Sequence, residues 1–167
     1  RKPVHTTHRG YDVYAPPPPS SGGTCLVEML NMLETFDLRK NERWSPATLH
    51  LMAETMRRAY RDRARYLGDP DFTSIPVRLT TKEYAKQLAA GIKLDRATPS
   101  EELAKDIKLA DGESDETTHF SVIDKDGLAV ANTYTLENSY GCRVVVRGAG
   151  FLLNNEMTDF NLRPGVT

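Results

Sequence analysis

The sequence predicts an α+β chain in which helices come first and antiparallel strands follow. Three observations carry this: apolar residues recur at helical spacing between Thr24 and Ile92, a polar, acidic stretch over 95–116 interrupts them, and the period switches to two at Thr117. The expected division is a helical region over 1–94, a flexible acidic linker over 95–116, and a strand-rich region over 117–167 that carries a β-hairpin. The 167 residues, 39% of them hydrophobic, suffice for one modest core.

Taken in order, the loose alternation of Tyr11, Val13 and Ala15 predicts one edge strand within residues 1–15. The run Pro16-Pro17-Pro18-Pro19-Ser20-Ser21-Gly22-Gly23 reads as a rigid connector with a flexible end, feeding a helix, in preference to a ligand for a proline-binding module. Leu26, Met29, Leu30 and Leu33, with Phe36 close behind, predict a helix over about 23–36. A second helix has clear punctuation: Ser45 as N-cap, Pro46 at the first helical position, Leu49, Met52, Ala53, Met56, Tyr60 and Leu67 on one face, and an end at Gly68. Thr80-Thr81-Lys82-Glu83 reads as the capping box of a third helix that buries Tyr84, Leu88 and Ile92. The acidic run Asp111-Gly112-Glu113-Ser114-Asp115-Glu116 has too little apolar area to order itself. Beyond it, 144–146 and 151–153 predict further short strands.

The 22 basic and 23 acidic residues leave a net charge of -1, which offers no field for nucleic acid or an anionic membrane, so the expected partner is a small molecule. Arg57, Arg58, Arg61, Arg63 and Arg65, interrupted by Asp62, read as a solvated helix face. Cys25 and Cys142 match no metal spacing and define no disulfide framework; neither a metal nor a cofactor is expected. No apolar run approaches the roughly 20 residues of a membrane helix, and no signal-peptide pattern is present. A start at Arg1 without Met reads as a cut from a longer polypeptide.

The hairpin can be counted. Asp124-Lys125-Asp126-Gly127 is a turn signature with glycine at the left-handed position, and a three-residue loop over 125–127 pairs Asp124 with Leu128. Counting outward, Thr117 faces Thr135; a slip of one residue would send the two hydroxyls to opposite faces. A threonine pair at a strand end is by itself ordinary strand packing.

The longer string Thr117-Thr118-His119-Phe120-Ser121-Val122-Ile123-Asp124-Lys125-Asp126-Gly127, with Ala129-Val130-Ala131-Asn132-Thr133-Tyr134-Thr135-Leu136, resembles the start of the small subunit of γ-glutamyltranspeptidases. The likeness extends upstream through Pro17–Gly23 and Tyr66-Leu67-Gly68-Asp69-Pro70-Asp71-Phe72. Downstream it runs through Leu152-Leu153-Asn154-Asn155-Glu156-Met157 and Asp159-Phe160. It implies an N-terminal-nucleophile hydrolase fold, two sheets between helical layers, made as one precursor chain that cuts itself between Glu116 and Thr117.

The same resemblance implies the site. Thr117 is both the nucleophile and, through its freed α-amine, its own base. An α-amine titrating near pH ~7.7–8.0 can take the proton of a hydroxyl that is otherwise a weak nucleophile. Thr135 orients that hydroxyl, while Glu137, Glu156 and Asp159 hold the substrate's α-ammonium; read without the resemblance, these acids are ordinary surface groups. His119 is structural. The implied substrate is a γ-glutamyl amide of the glutathione type, with water, an amino acid or a peptide as acceptor, and with the remaining segments of a parent chain as partner. Family membership further implies a periplasmic or extracellular location.

Glu137 stands where the family often has Asn, and Glu156 where some members have Gln. The added charge keeps a glutaryl or poly-γ-glutamyl amidase open as an alternative, beside a homologue that never matures. The family's upstream arginine, downstream serine pair and oxyanion glycines have no counterpart here, so these residues alone are expected to be inactive or nearly so.

Overall fold

The computed structural model describes residues 1–105, 107 and 117–159. They fall into two compact units, one within Arg1–Ile107 and one within Lys108–Thr167.

The first unit opens with a hairpin, where one edge strand was expected. Strand β1 (Val4–His8) pairs antiparallel with β2 (Tyr11–Ala15), Val4 opposite Ala15 and His8 opposite Tyr11. The turn is made by Arg9 (φ 51°) and Gly10 (φ 88°), both left-handed as a two-residue hairpin turn demands. Arginine in the first position, instead of Asn or Asp, hides the turn in the sequence.

Three helices follow: α1 (Gly22–Leu33), α2 (Pro46–Tyr66) and α3 (Lys82–Ala90). The start of α2 is as expected: Ser45 Oγ accepts the Thr48 amide at 3.3 Å and Pro46 occupies the first turn. The cap of α3 is shifted by one residue. Thr81 Oγ1 accepts the Tyr84 amide at 3.3 Å, and Thr80 ends a 3-10 turn over Val77–Thr80. Glu83 thus sits one position short of the reciprocal half of a capping box. A one-turn helix, α4 (Ser100–Leu103), lies inside the stretch expected as linker.

Cys25, Met32, Ala59, Ala85 and Ala89 form the core, with Met29, Phe36, Leu67 and Leu88 packed against it. Ile92 is buried as expected, whereas Tyr84 and Leu88 are half-buried. Polar residues are buried beside this core, among them Glu28, Asn31, Glu54, Thr55, Arg58 and Asp62. Most of the apolar stripe of α2 lies on the surface, with Leu49, Met56 and Tyr60 46%, 47% and 54% exposed, while Leu67 packs against the core. The basic run is no solvated face, because Arg58 and Asp62 are buried.

That burial has one physical cause: each buried charge finds a partner. Arg58 donates to Glu54 Oε2 at 2.6 Å, Gly91 O at 3.1 Å and Thr98 Oγ1 at 3.1 Å. Asp62 accepts Arg61 at 2.6 and 2.9 Å through Oδ1, and the Tyr84 hydroxyl at 2.5 Å through Oδ2.

Glu28, on α1, is also buried, and its Oε1 has no hydrogen-bond partner among the described residues. Burial, then the hydrogen bond and charge of Asp62, push its carboxyl up to about 9, against an opposing pull from Arg61. The folded state therefore holds a proton that the unfolded chain releases at about 4.5. Stability from this group is full below that value and is lost as pH rises through about 9. Glu28→Gln removes the loss. The variant is expected to match the parent in thermal unfolding near pH 4 and to exceed it increasingly up to pH 9, by on the order of 1–3 kcal/mol at neutrality. A constant difference across that range would contradict a protonated Glu28.

In the second unit, β3 (Thr118–Ile123) pairs antiparallel with β4 (Ala129–Tyr134) in the counted register, from Ile123 opposite Ala129 to Thr118 opposite Tyr134. The loop closes through Asp124 N to Leu128 O at 3.0 Å and Gly127 N to Asp124 O at 3.1 Å, with Gly127 at φ 85°. Of the further strands expected at 144–146 and 151–153, a single antiparallel bridge forms, Val145 to Leu152.

Candidate active site

The hairpin's open end makes the site. Continuing the register one pair beyond Thr118 and Tyr134 sets Thr117 opposite Thr135, and both line a pocket of about 250 Å³ with Thr118, Tyr134, Leu136, Asn138 and Tyr140. Thr117 is exposed and Thr135 half-buried. The Thr135 hydroxyl accepts the Glu137 amide at 2.9 Å, which ties the strand end to the next turn.

That turn carries much backbone strain. Glu137 (φ 74°), Tyr140 (φ 64°) and Arg143 (φ 61°) are all left-handed, a conformation costly for residues with a Cβ and concentrated in proteins at sites of function. Gly141 lies among them at φ 55°, and a Cβ there would stand 2.1 Å from Leu153 O. Only glycine allows the Cys142 amide to reach that same carbonyl at 3.1 Å. Gly141→Ala is therefore expected to part the two segments at a cost of about 1–3 kcal/mol. Hydrogen exchange at the Cys142 amide should quicken; unchanged protection would mean that the backbone yields without loss.

The returning segment meets the hairpin exit through Asn155. Asn155 N donates to Leu136 O at 3.2 Å and Asn138 N donates to Asn155 Oδ1 at 3.1 Å, so Glu156 is adjacent in sequence to one side of this clip and Glu137 to the other. Glu137 is buried and Glu156 half-buried. Glu156 opens a 3-10 turn over Glu156–Asp159 whose first amide is capped by Asn154 Oδ1 at 3.0 Å. Asp159 is placed by its backbone in this turn, while Glu116 lies outside the described residues. His119 is bound across the hairpin, Nδ1 to Thr133 Oγ1 at 2.7 Å and Nε2 to Ser121 Oγ at 3.2 Å.

Asn138, Tyr140 and the roles of Asn154 and Asn155 escape sequence reasoning. Their one signal is the pairing of turn-forming residues with glycine, as in Asn138-Ser139-Tyr140-Gly141. Among the described residues, no cluster of three or more His, Cys, Asp or Glu converges to hold a metal ion, and no helix is long and apolar enough to cross a membrane.

The mixed helices and antiparallel strands belong to the N-terminal-nucleophile hydrolase class, to which the structural neighbours also belong. A γ-glutamyltranspeptidase of Helicobacter pylori superimposes with a TM-score of 0.60 at 40% identity, over 67% of this chain and 33% of that one. Sequence comparison is more specific: the profile described as Gamma-glutamyltranspeptidase matches residues 1–167. The chain belongs to the γ-glutamyltranspeptidase family. It is 50% identical over 167 residues to a glutathione hydrolase proenzyme of Escherichia coli (strain K12), covering 99% of this chain and 29% of that protein. To a glutathione hydrolase proenzyme of Pseudomonas aeruginosa it is 46% identical over 169 residues, again covering 99% and 29%. The chain thus spans less than a third of the length of these relatives.

Proposed function

We propose that these residues form the subunit junction of a γ-glutamyl amide hydrolase and transferase that acts on glutathione-type substrates, with Thr117 as its nucleophile. The observation that carries the reading is the pocket shared by Thr117 and Thr135 at the start of a strand, directly after the acidic stretch. The relatives' description as proenzymes supports a processing step.

In maturation, Thr117 Oγ1 attacks the carbonyl carbon of Glu116, the C–N bond breaks as the ester forms and the Thr117 amine is freed, and water then hydrolyses the ester to release the Thr117 hydroxyl and a Glu116 carboxylate. In turnover the same oxygen attacks the γ-carbonyl carbon of the substrate. Its proton passes to the α-amine and on to the departing amine, and water or an acceptor amine resolves the acyl ester. Glu137, Glu156 and Asp159 offer acceptors to the substrate's α-ammonium, since carboxylates make charge-assisted hydrogen bonds to a cation. The parent protein is assigned to the periplasm or the exterior, and residues 1–167 alone are expected to lack a complete oxyanion hole.

Mass spectrometry of the full-length polypeptide tests this: the expected result is two fragments divided between Glu116 and Thr117. An intact bond after prolonged incubation would leave a homologue that does not mature.

A further inference from the structure

The acids at 137 and 156 lie 19 positions apart in the sequence, and something must hold their backbones together. The described hydrogen bonds name it. Asn155 uses both its main chain and its side chain on one stretch of the hairpin exit: its amide donates to Leu136 O at 3.2 Å, and its Oδ1 accepts from Asn138 N at 3.1 Å. Those bonds bracket Glu137 on either side. The Asn155 carboxamide thus supplies an acceptor to the Asn138 amide just past the left-handed Glu137 (φ 74°).

The neighbouring asparagine has a different task. Asn154 Oδ1 accepts the Glu156 amide at 3.0 Å and so starts the 3-10 turn over Glu156–Asp159. One asparagine shapes the turn that bears Glu156; the other fastens that turn to the strand end that bears Glu137. Leu153 O, received by the Cys142 amide at 3.1 Å beside Gly141, secures the segment one step earlier. Removing Asn155 Oδ1 would leave the Asn138 amide without this acceptor while removing no pair of the β3–β4 register.

We infer that Asn155 is a positioning residue, which sets the separation of Glu137 and Glu156 and thereby selects substrates that carry an α-ammonium group. The inference rests on the γ-glutamyl reading above and concerns a residue to which that reading gives no part. Its consequence is specific: the clip serves the group that binds the cation, not the group that breaks the amide. Loss of the clip should therefore weaken binding of aminated substrates and leave the chemical step in place.

The test uses the full-length polypeptide and two anilides with one leaving group, γ-glutamyl, which bears the ammonium, and glutaryl, which lacks it. Asn155→Leu removes the acceptor; Asn155→Asp keeps it. Expected for Asn155→Leu is a rise of about tenfold in KM for the γ-glutamyl anilide, with kcat and both glutaryl constants within about twofold of the parent. Asn155→Asp should remain near the parent. Equal losses on both anilides, a fall in kcat alone, or an Asn155→Asp as impaired as Asn155→Leu would overturn the inference. Should Asn155→Leu fail to mature, Asn155→Ser, with its shorter side chain, takes its place under the same criteria. Activity surviving in Thr117→Ala would instead defeat the nucleophile reading, so the two failures are separable.

Discussion

Thr117→Ala is expected to abolish both cleavage after Glu116 and turnover of γ-glutamyl amides in the full-length polypeptide, a loss of roughly 10⁴-fold or more in kcat. The size of the effect follows from two roles held by one residue. In the proposed mechanism its Oγ1 is the atom that becomes acylated, and its α-amine, once freed, is the base that takes the hydroxyl proton. Alanine removes the first role and, by blocking maturation, the second. Thr117→Ser keeps both groups and should retain measurable cleavage and turnover. Because the base is an amine with an ordinary value near pH ~7.7–8.0, kcat/KM should fall as pH drops below that range. Loss of turnover in a fully matured His119→Gln variant would point to His119 as the base instead. That outcome is disfavoured by the two side-chain contacts that already hold the His119 ring, to Thr133 and Ser121.

The largest expected effect on stability lies in the first unit, at Arg58. Its guanidinium is 4% exposed and donates to the Glu54 carboxylate and carbonyl, to Gly91 O and to Thr98 Oγ1. Arg58→Ala strands the buried Glu54 charge with fewer donors and should cost about 3–5 kcal/mol in urea unfolding of the chain. Glu54 reports on the same cluster through acid. Burial pushes its carboxyl up, but hydrogen bonds from Thr98 and Arg58 outweigh that and hold it at about 2. The stability it contributes is present above its unfolded value of about 4.5 and is lost as pH falls toward 2. In Glu54→Gln this part of the acid dependence should disappear. A parent and variant with the same acid midpoint would show that the carboxylate is not held as described.

Local chemistry was legible wherever neighbours along the chain decide the outcome. Ser45 and Pro46 start α2 because cap and φ are properties of a few adjacent residues. The hairpin register follows from the loop at Lys125–Gly127, since one turn fixes every pair beyond it. The threonine pair was legible for that reason alone. The first hairpin was not, because Arg9 adopts a left-handed turn that its side chain does not advertise. The inward face of α2 was not legible either. Apolar periodicity marks Leu49, Met56 and Tyr60, yet the described contacts bury Glu54, Arg58 and Asp62 instead. Periodicity reports which face is apolar, and it is blind to charges that pair within their own helix and are completed by distant groups such as the Tyr84 hydroxyl, Gly91 O and Thr98 Oγ1.

By itself, then, the sequence determined the strand that follows Thr117, the hydroxyl facing it in Thr135, and membership of the family, all of which rest on contiguous residues or on a register set by one loop. Only the tertiary structure decided how Asn155 brings Glu156 beside the turn of Glu137, how Gly141 passes under Leu153, and which charges are buried together around Arg58 and Asp62. Many of those contacts are long-range, from the 12 positions between Gly141 and Leu153 to the 44 between Glu54 and Thr98. They depend on the path of the folded backbone, which no local preference specifies.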